Sequence, residues 1–196
     1  MADLSRYESE IAALIERLER LMRTEEYDAG LNPAQWEALR FLARCNRFSN
    51  SPGALTAYLG ATKGTVSQTV RSLERKGMVS RARRQGAGRS VALSLTEKGA
   101  EILARDPRRR IGPAAAALDS DTLGALRLGL RTLLQDRIAR RGLKTFGLCR
   151  TCRHFLNQGA EDEPDGPHRC GLLAVPLAEA DAAKLCVEHD PASVPG

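Results

Sequence analysis

The stretch CRTCRHF, residues 149–155, sets Cys149 and Cys152 three residues apart and follows them with a histidine. Thiolates in such a Cys-x-x-Cys turn reach one metal together. Cys170 and Cys186 follow as single cysteines. Four of the five cysteines and all three histidines, His154, His168 and His189, lie between residues 149 and 189. Two centres fit this donor set. Structural zinc takes two close ligand pairs, and joining Cys186 to His189 would supply the second as C-x-x-H. Four thiolates from one pair and two singletons suit an iron–sulfur cluster, which tolerates irregular spacing. Zinc has no redox chemistry and would staple the segment. A cluster would in addition answer to oxygen, nitric oxide, peroxide or iron supply. A bare thiol or disulfide switch is a third option. No βαβ frame surrounds Cys149 and Cys152, which argues against a thioredoxin-like site. Cys45, alone in an apolar helix, reads as packing.

The segment around these ligands is short and acidic. From Phe155 to Gly196, 2 Lys/Arg stand against 8 Asp/Glu, a net of −6. So short a piece cannot bury a core of its own, and a metal centre would supply the missing stabilisation. Texture changes near residues 142–148, where periodic helix gives way to Cys, His, Pro and Gly. We place a boundary there.

The remainder of the chain has a different character. The sequence has 196 residues, a formal charge of +6, 42% hydrophobic residues and 4% aromatics. A core of Leu, Ala, Val and Ile follows, which suits helices. No run approaches the ~18 apolar residues of a membrane span. The start MADLSRYESE lacks the apolar stretch of a secretory signal, so the expected location is the cytoplasm, where thiols stay reduced. No Ser/His/Asp set, phosphate loop or nucleotide fingerprint points to an enzyme.

Periodicity and caps give the elements. Residues 3–27 read as a helix with Leu4, Ile11 and Leu18 at seven-residue spacing. Asn32 caps a second helix, with Pro33 at its first position and Trp36, Leu39, Phe41 and Leu42 as apolar members. RFSNSPG is a turn, after which Ser51 caps Pro52–Leu59. Thr62 caps a helix that stops at Gly77. Val79–Arg83 and Val91–Leu95 alternate around QGAG and form a hairpin. Thr96 caps a further helix that stops before Pro107 or bends there, with RRRIGPAAAAL as a linker or its continuation. Asp119 or Ser120 opens a last long helix striped by Leu123, Leu126, Leu130, Leu133, Leu134 and Ile138 and closed by Gly142.

Helices followed by a two-stranded ribbon are the order of a winged helix-turn-helix, and the charge agrees. From Thr62 to Arg110, 13 Lys/Arg stand against 4 Asp/Glu, a net of +9, the footprint of a nucleic-acid face. On the helix after Thr62, Val66, Val70 and Leu73 share one side, while Gly64, Gln68, Arg71 and Arg75 point away. A helix of this width fits the major groove. Gln68 suits a bidentate bond to adenine, and Arg71 suits guanine or phosphate. Thr62, Lys63, Thr65 and Ser67 sit where a helix N-terminus meets phosphate. Arg83, Arg84 and Arg89 decorate the hairpin, where an arginine suits the negative minor groove.

The stretch LTAYLGATKGTVSQTVRSLERKGMVSR, followed by GRSVALSLTEKG, resembles the MarR family of bacterial transcriptional regulators over roughly residues 5–140. The resemblance implies a fold that is mainly α with a small β wing, in an intertwined homodimer. It also implies a palindromic double-stranded DNA operator and Arg89 as the minor-groove contact. An Asp that often orients that arginine is replaced here by Ala87. The expected organisation is an N-terminal dimerisation helix (1–30), a winged helix-turn-helix (31–96), C-terminal dimerisation helices (97–145) and a small, irregular metal-bound tail (146–196). Relatives take small aromatic acids in the cleft between dimer helices and lobes, though nothing in this sequence names such an effector. The leading expectation is a repressor whose tail centre senses redox, oxygen, nitric oxide or iron. The alternative is a small-molecule-responsive repressor with a structural zinc.

Overall fold

The computed structural model describes residues 4–26, 30–84, 90–157 and 166–192. Its long first helix, α1, spans Leu4–Glu26. The lobe that follows is built from α2 (Pro33–Arg44), α3 (Pro52–Leu59), α4 (Lys63–Arg75), the hairpin β1–β2 (Val79–Arg83 and Val91–Leu95) and α5 (Glu97–Ala104). These bounds agree with the sequence reading, because each helix opens on a side chain that takes an orphan backbone N–H. Asn32 and Gln35 form a reciprocal capping box on α2. Ser51, Thr62 and Thr96 cap α3, α4 and α5.

The lobe core is one cluster: Trp36, Leu39 and Phe41 of α2, Leu55 of α3, Val66, Val70 and Leu73 of α4, and Leu93 of β2. Polar ties supplement it. Gln35 Nε2 donates to Ser72 Oγ at 2.8 Å, joining α2 to α4. Strand β1 pairs antiparallel with β2, from Val79 opposite Leu95 to Arg83 opposite Val91. Gly99 lets α5 press on the turn before β1, since a Cβ there would collide with the Met78 carbonyl.

Helix α5 stops at Ala104, before Pro107, rather than bending there, and the following stretch is neither a plain linker nor a continuation but a 3₁₀ turn (Pro107–Arg110) and the short α6 (Ile111–Ala116). Helix α7 covers Ser120–Arg140. The turn after α5 is locked by buried charge. Arg40 Nη2 meets Glu26 and Asp106 carboxylates at 2.7 Å each, and Arg108 Nε reaches Glu26 at 2.8 Å. Burial disfavours charge on Arg40 and Asp106, but their mutual hydrogen bonds win: the guanidinium is raised and the carboxyl lowered from their ordinary values. In contrast, Ile11, Leu14, Leu18 and Leu21 of α1 and Leu126, Leu130, Leu133 and Leu134 of α7 are exposed.

The tail has more order than the expected irregular segment. Strands β3 (Gly147–Leu148) and β7 (Leu185–Cys186) pair antiparallel. Strands β4 (Phe155–Asn157), β5 (His168–Cys170) and β6 (Val175–Leu177) form a second antiparallel sheet, and α8 (Glu179–Ala182) is a single turn. Strands of two or three residues are too short for alternation to register in sequence. Nor is the tail an appendage hung on α7. Phe146 wedges its ring against Phe41 and Tyr58, with centroids 5.8 and 5.1 Å away, and does so at a φ of 44°. Val187 also packs on the lobe core. The tail thus sits on the winged helix itself. No helix among the described residues is long and apolar enough to cross a membrane.

Candidate nucleic-acid interface and cysteine centre

Helix α4 turns Val66, Thr69, Val70 and Leu73 into the core and leaves Lys63, Gly64, Thr65, Gln68, Arg71 and Arg75 exposed, with Ser67 half-buried. Thr62 is exposed too, but its hydroxyl is engaged: it accepts from the Thr65 N–H at 3.2 Å and pairs with Thr65 Oγ1 at 2.9 Å. Gln68, Arg71, Glu74 and Arg75 line one open groove along the helix. Glu74 is neutralised by Arg81 of β1 at 3.0 Å, so the groove keeps a cationic balance. Arg83 is exposed on β1. Arg84 is turned inward: its Nη1 donates to the Arg47 carbonyl at 2.8 Å and its Nη2 to Asn50 Oδ1. Arg89 and Ala87 lie outside the described residues.

The second site gathers residues from across the tail. Cys149 and Cys152 flank a 3₁₀ turn closed by the Cys152 N–H on the Cys149 carbonyl at 2.9 Å. Cys170 ends β5 and Cys186 ends β7. All four line one small cavity, walled also by Phe155 and Leu177. Cys149, Cys170 and Cys186 form the tail's hydrophobic cluster with Phe155, Leu177 and Phe48 of the lobe, so half its members are cysteines. Among the described residues, no three His, Cys, Asp or Glu side chains converge as ligands of a single metal ion do.

Every sulfur of the four receives a donor. Asn46 Nδ2 donates to Cys149 Sγ at 3.3 Å, the Asp190 N–H to Cys152 Sγ at 3.5 Å and the Leu173 N–H to Cys170 Sγ at 3.5 Å. Cys186 is bonded by the Cys149 thiol, the Glu188 N–H and the Asn46 and Ser49 side chains. The bond from Cys149 holds Cys186 well below the ordinary cysteine range, and the same bond, with burial, holds Cys149 above it. Donors aimed at sulfur favour thiolate over thiol, the form that ligates metal.

The histidines are turned to other partners. His189 does not line the cavity: its Nε2 lies 2.9 Å from Thr151 Oγ1, and its ring sits where a Cβ on Gly147 would run into it. Burial lowers its pKa. His168 Nε2 pairs with Glu179 at 2.7 Å. His154 does line the cavity, 3.8 Å from Asp190. Cys45 is a buried core residue whose thiol burial pushes up to about 11, so it is poorly suited to sensing. The sequence reading did not find Asn46 and Ser49. They sit in RFSNSPG, which carries only the signal of a turn, and nothing local marks them as sulfur partners.

Residues 29–90 match the sequence profile of the MarR family. An uncharacterized HTH-type transcriptional regulator of Mycobacterium bovis is 30% identical over 106 residues, covering 54% of this chain and 73% of that protein. An HTH-type transcriptional regulator of Mycobacterium tuberculosis matches to the same extent.

The chain belongs to the MarR family. Solved structures agree on the fold. A MarR family protein from Bacillus stearothermophilus superposes with a TM-score of 0.50 at 23% identity, over 69% of this chain and 94% of that one. The S. aureus MepR–DNA complex gives 0.52 at 16% identity, over 66% and 96%. Streptococcus pneumoniae FabT in complex with DNA gives 0.51 at 21%, over 66% and 95%. The matched profile ends at residue 90, so the cysteine centre of this MarR-family regulator lies beyond it.

Proposed function

We propose that this MarR-family chain is a homodimeric repressor of the cytoplasm that binds a palindromic DNA operator and holds an iron–sulfur cluster on Cys149, Cys152, Cys170 and Cys186. The observation that carries the cluster is the set of four sulfurs on one cavity, each with a hydrogen-bond donor. Hydrogen bonds to cysteine sulfur are among the levers that set a cluster's potential. A single zinc draws all its ligands to about 2.0–2.3 Å from one point. His189 bonds Thr151 and does not line the cavity, so the C-x-x-H pair of a zinc site is not made, which favours an all-cysteine ligand set. When bound, the cluster supplies reversible one-electron chemistry and sensitivity to oxidants. This chain's residues supply the thiolates, their donors and a mostly apolar wall.

DNA binding rests on the groove of Gln68, Arg71 and Arg75, with Lys63, Thr65, Ser67 and Arg83 placed for phosphate. The DNA complexes of MepR and FabT are consistent with it. Dimerisation rests on the exposed leucine stripes of α1 and α7, too large an apolar surface to leave in water. A palindrome follows from two-fold symmetry. Anaerobic purification followed by iron, sulfide, zinc and optical analysis tests the centre. We expect brown protein with iron and sulfide in stoichiometric amounts. Colourless protein with one zinc per chain makes the centre structural, and protein with neither metal overturns the reading.

A second input is favoured by one further observation. A cavity of about 570 Å³ lies between α2, α3 and α7, lined by Arg44, Tyr58, Arg108, Arg141 and Lys144. Arg40 also borders it, with a buried Nη1 that has no hydrogen-bond partner among the described residues. Cationic and aromatic walls suit a small aromatic carboxylate. In this reading such an acid releases the operator and the tail centre is a structural zinc. Titration calorimetry with an aromatic carboxylate tests it, and loss of binding in Arg44→Ala is the expected control.

A further inference from the structure

The loop between α2 and α3, residues 45–51, touches the cysteine centre on one side and the wing on the other. On the centre side, Asn46 and Ser49 are fully buried and bond the sulfurs of Cys149 and Cys186. Their backbone and side chains also grip the tail: the Asn46 N–H donates to the Leu185 carbonyl at 2.9 Å, and Ser49 Oγ accepts from the Val187 N–H at 2.9 Å. Arg47 between them pairs with Asp181 at 3.2 Å and donates to the Pro176 carbonyl at 2.6 Å. On the wing side, Asn50 acts like a strand partner for β2. Its carbonyl accepts from the Leu93 N–H at 2.7 Å, and its Nδ2 donates to the Leu93 carbonyl at 3.0 Å. Asn50 Oδ1 and the Arg47 carbonyl together hold Arg84 at the end of the wing.

We propose that this loop transmits the state of the cysteine centre to the wing: a loaded centre fixes Asn46 and Ser49, and through Asn50 and Arg84 it fixes β1–β2 in the arrangement that fits DNA. The proposal rests on the reading that the four cysteines hold a metal centre. Four successive residues, Asn46, Arg47, Phe48 and Ser49, are committed to the tail, and the next, Asn50, to β2. No flexible spacer separates the two sets, so a shift of the sulfurs on metal loss moves the β2 anchor directly. The route is an identified set of contacts with two arrangements, held and released, and both ends bias it. It bypasses α7 and acts within one lobe.

The test compares full-length protein, anaerobically loaded and after removal of metal by a chelator. Two readouts are used: affinity for operator DNA and amide exchange across Val91–Leu95. In wild type, metal removal should weaken operator binding at least tenfold and speed exchange at Leu93 while leaving α1 unchanged. In Asn50→Ala, whose side chain touches no cysteine, iron content should match wild type and the loaded-to-stripped affinity ratio should fall to near one. An Asn50→Ala ratio equal to that of wild type overturns the proposal, as does unchanged exchange at Leu93 in stripped wild type. If wild type contains no metal, the reading of the centre fails. If it contains metal but binds operator equally well or better when stripped, the centre stands and the transmission fails.

Discussion

The side-chain amide of Asn46 lies 3.3 Å from the sulfur of Cys149, although 103 residues separate them in the chain. That one bond makes the DNA-binding lobe part of the cysteine centre. The first prediction comes from it. Asn46→Ala removes a donor to two sulfurs and, if the four cysteines hold the proposed centre, should weaken metal retention by about 10–100-fold, the usual cost of losing a partner next to a metal ligand. Chelator-competition rates would measure it. Asn46→Asp, which brings a carboxylate toward thiolates, should be worse than alanine, and a variant that holds metal as firmly as wild type would remove Asn46 from the centre.

The groove on α4 gives the second prediction. Gln68→Ala and Arg71→Ala should each cost about 1–3 kcal/mol of discrimination for operator over mutated operator, if they reach base edges. Lys63→Ala should instead weaken binding to all duplexes alike and reduce the salt dependence by about one phosphate contact. Fluorescence anisotropy at several salt concentrations separates the two patterns.

A third prediction concerns the buried charges at the turn after α5. Asp106→Asn leaves Arg40 short of a counter-charge in a dry setting and should destabilise the chain by about 3 kcal/mol at neutral pH. The Asp106 carboxyl is held below its ordinary value in the folded chain. Its contribution is therefore complete above the unfolded value, about pH 4, and is lost as pH falls through the folded value. Urea denaturation at pH 7 and in acid should show the gap between wild type and Asp106→Asn narrowing as pH falls.

Phe146 supplies the fourth. A bulky residue at a positive φ is held there against backbone preference, at a cost of about 1–3 kcal/mol, and the ring packing on Phe41 and Tyr58 offsets it. Phe146→Ala should loosen the tail and expose the cysteines, seen as faster alkylation of Cys149 and Cys186 in stripped protein. Phe146→Gly should relieve the strain yet lose the ring, and alkylate at least as fast.

How much of this was legible depends on the range of each signal. Helix bounds from Pro33 to Arg75 were readable because caps and apolar spacing act within a few residues. Gln68, Arg71 and Arg75 were placed on the outer side of α4 by the helical period alone. The four cysteines stood out by composition, before any geometry. What stayed hidden acts over long separations. Glu26, Arg40, Asp106 and Arg108 each look like ordinary surface charges until the fold brings them together. Arg84 reads as one more wing cation, and only the position of Asn50 reveals that it is anchored inward. The docking of the tail depends on Phe146, Asn46 and Ser49, whose local sequence signals a turn and nothing more.

The ion cluster around Arg40 has a mechanical consequence. It fastens the last turn of α1, the middle of α2 and the start of the 107–110 turn to one another, so these pieces travel as a single lever. A swing of the lobe against α7 must therefore bend at residues 117–119 and again at residues 141–145, because Phe146 ties the chain back to the lobe, and stiffening either joint would freeze the distance between the reading heads of the proposed dimer.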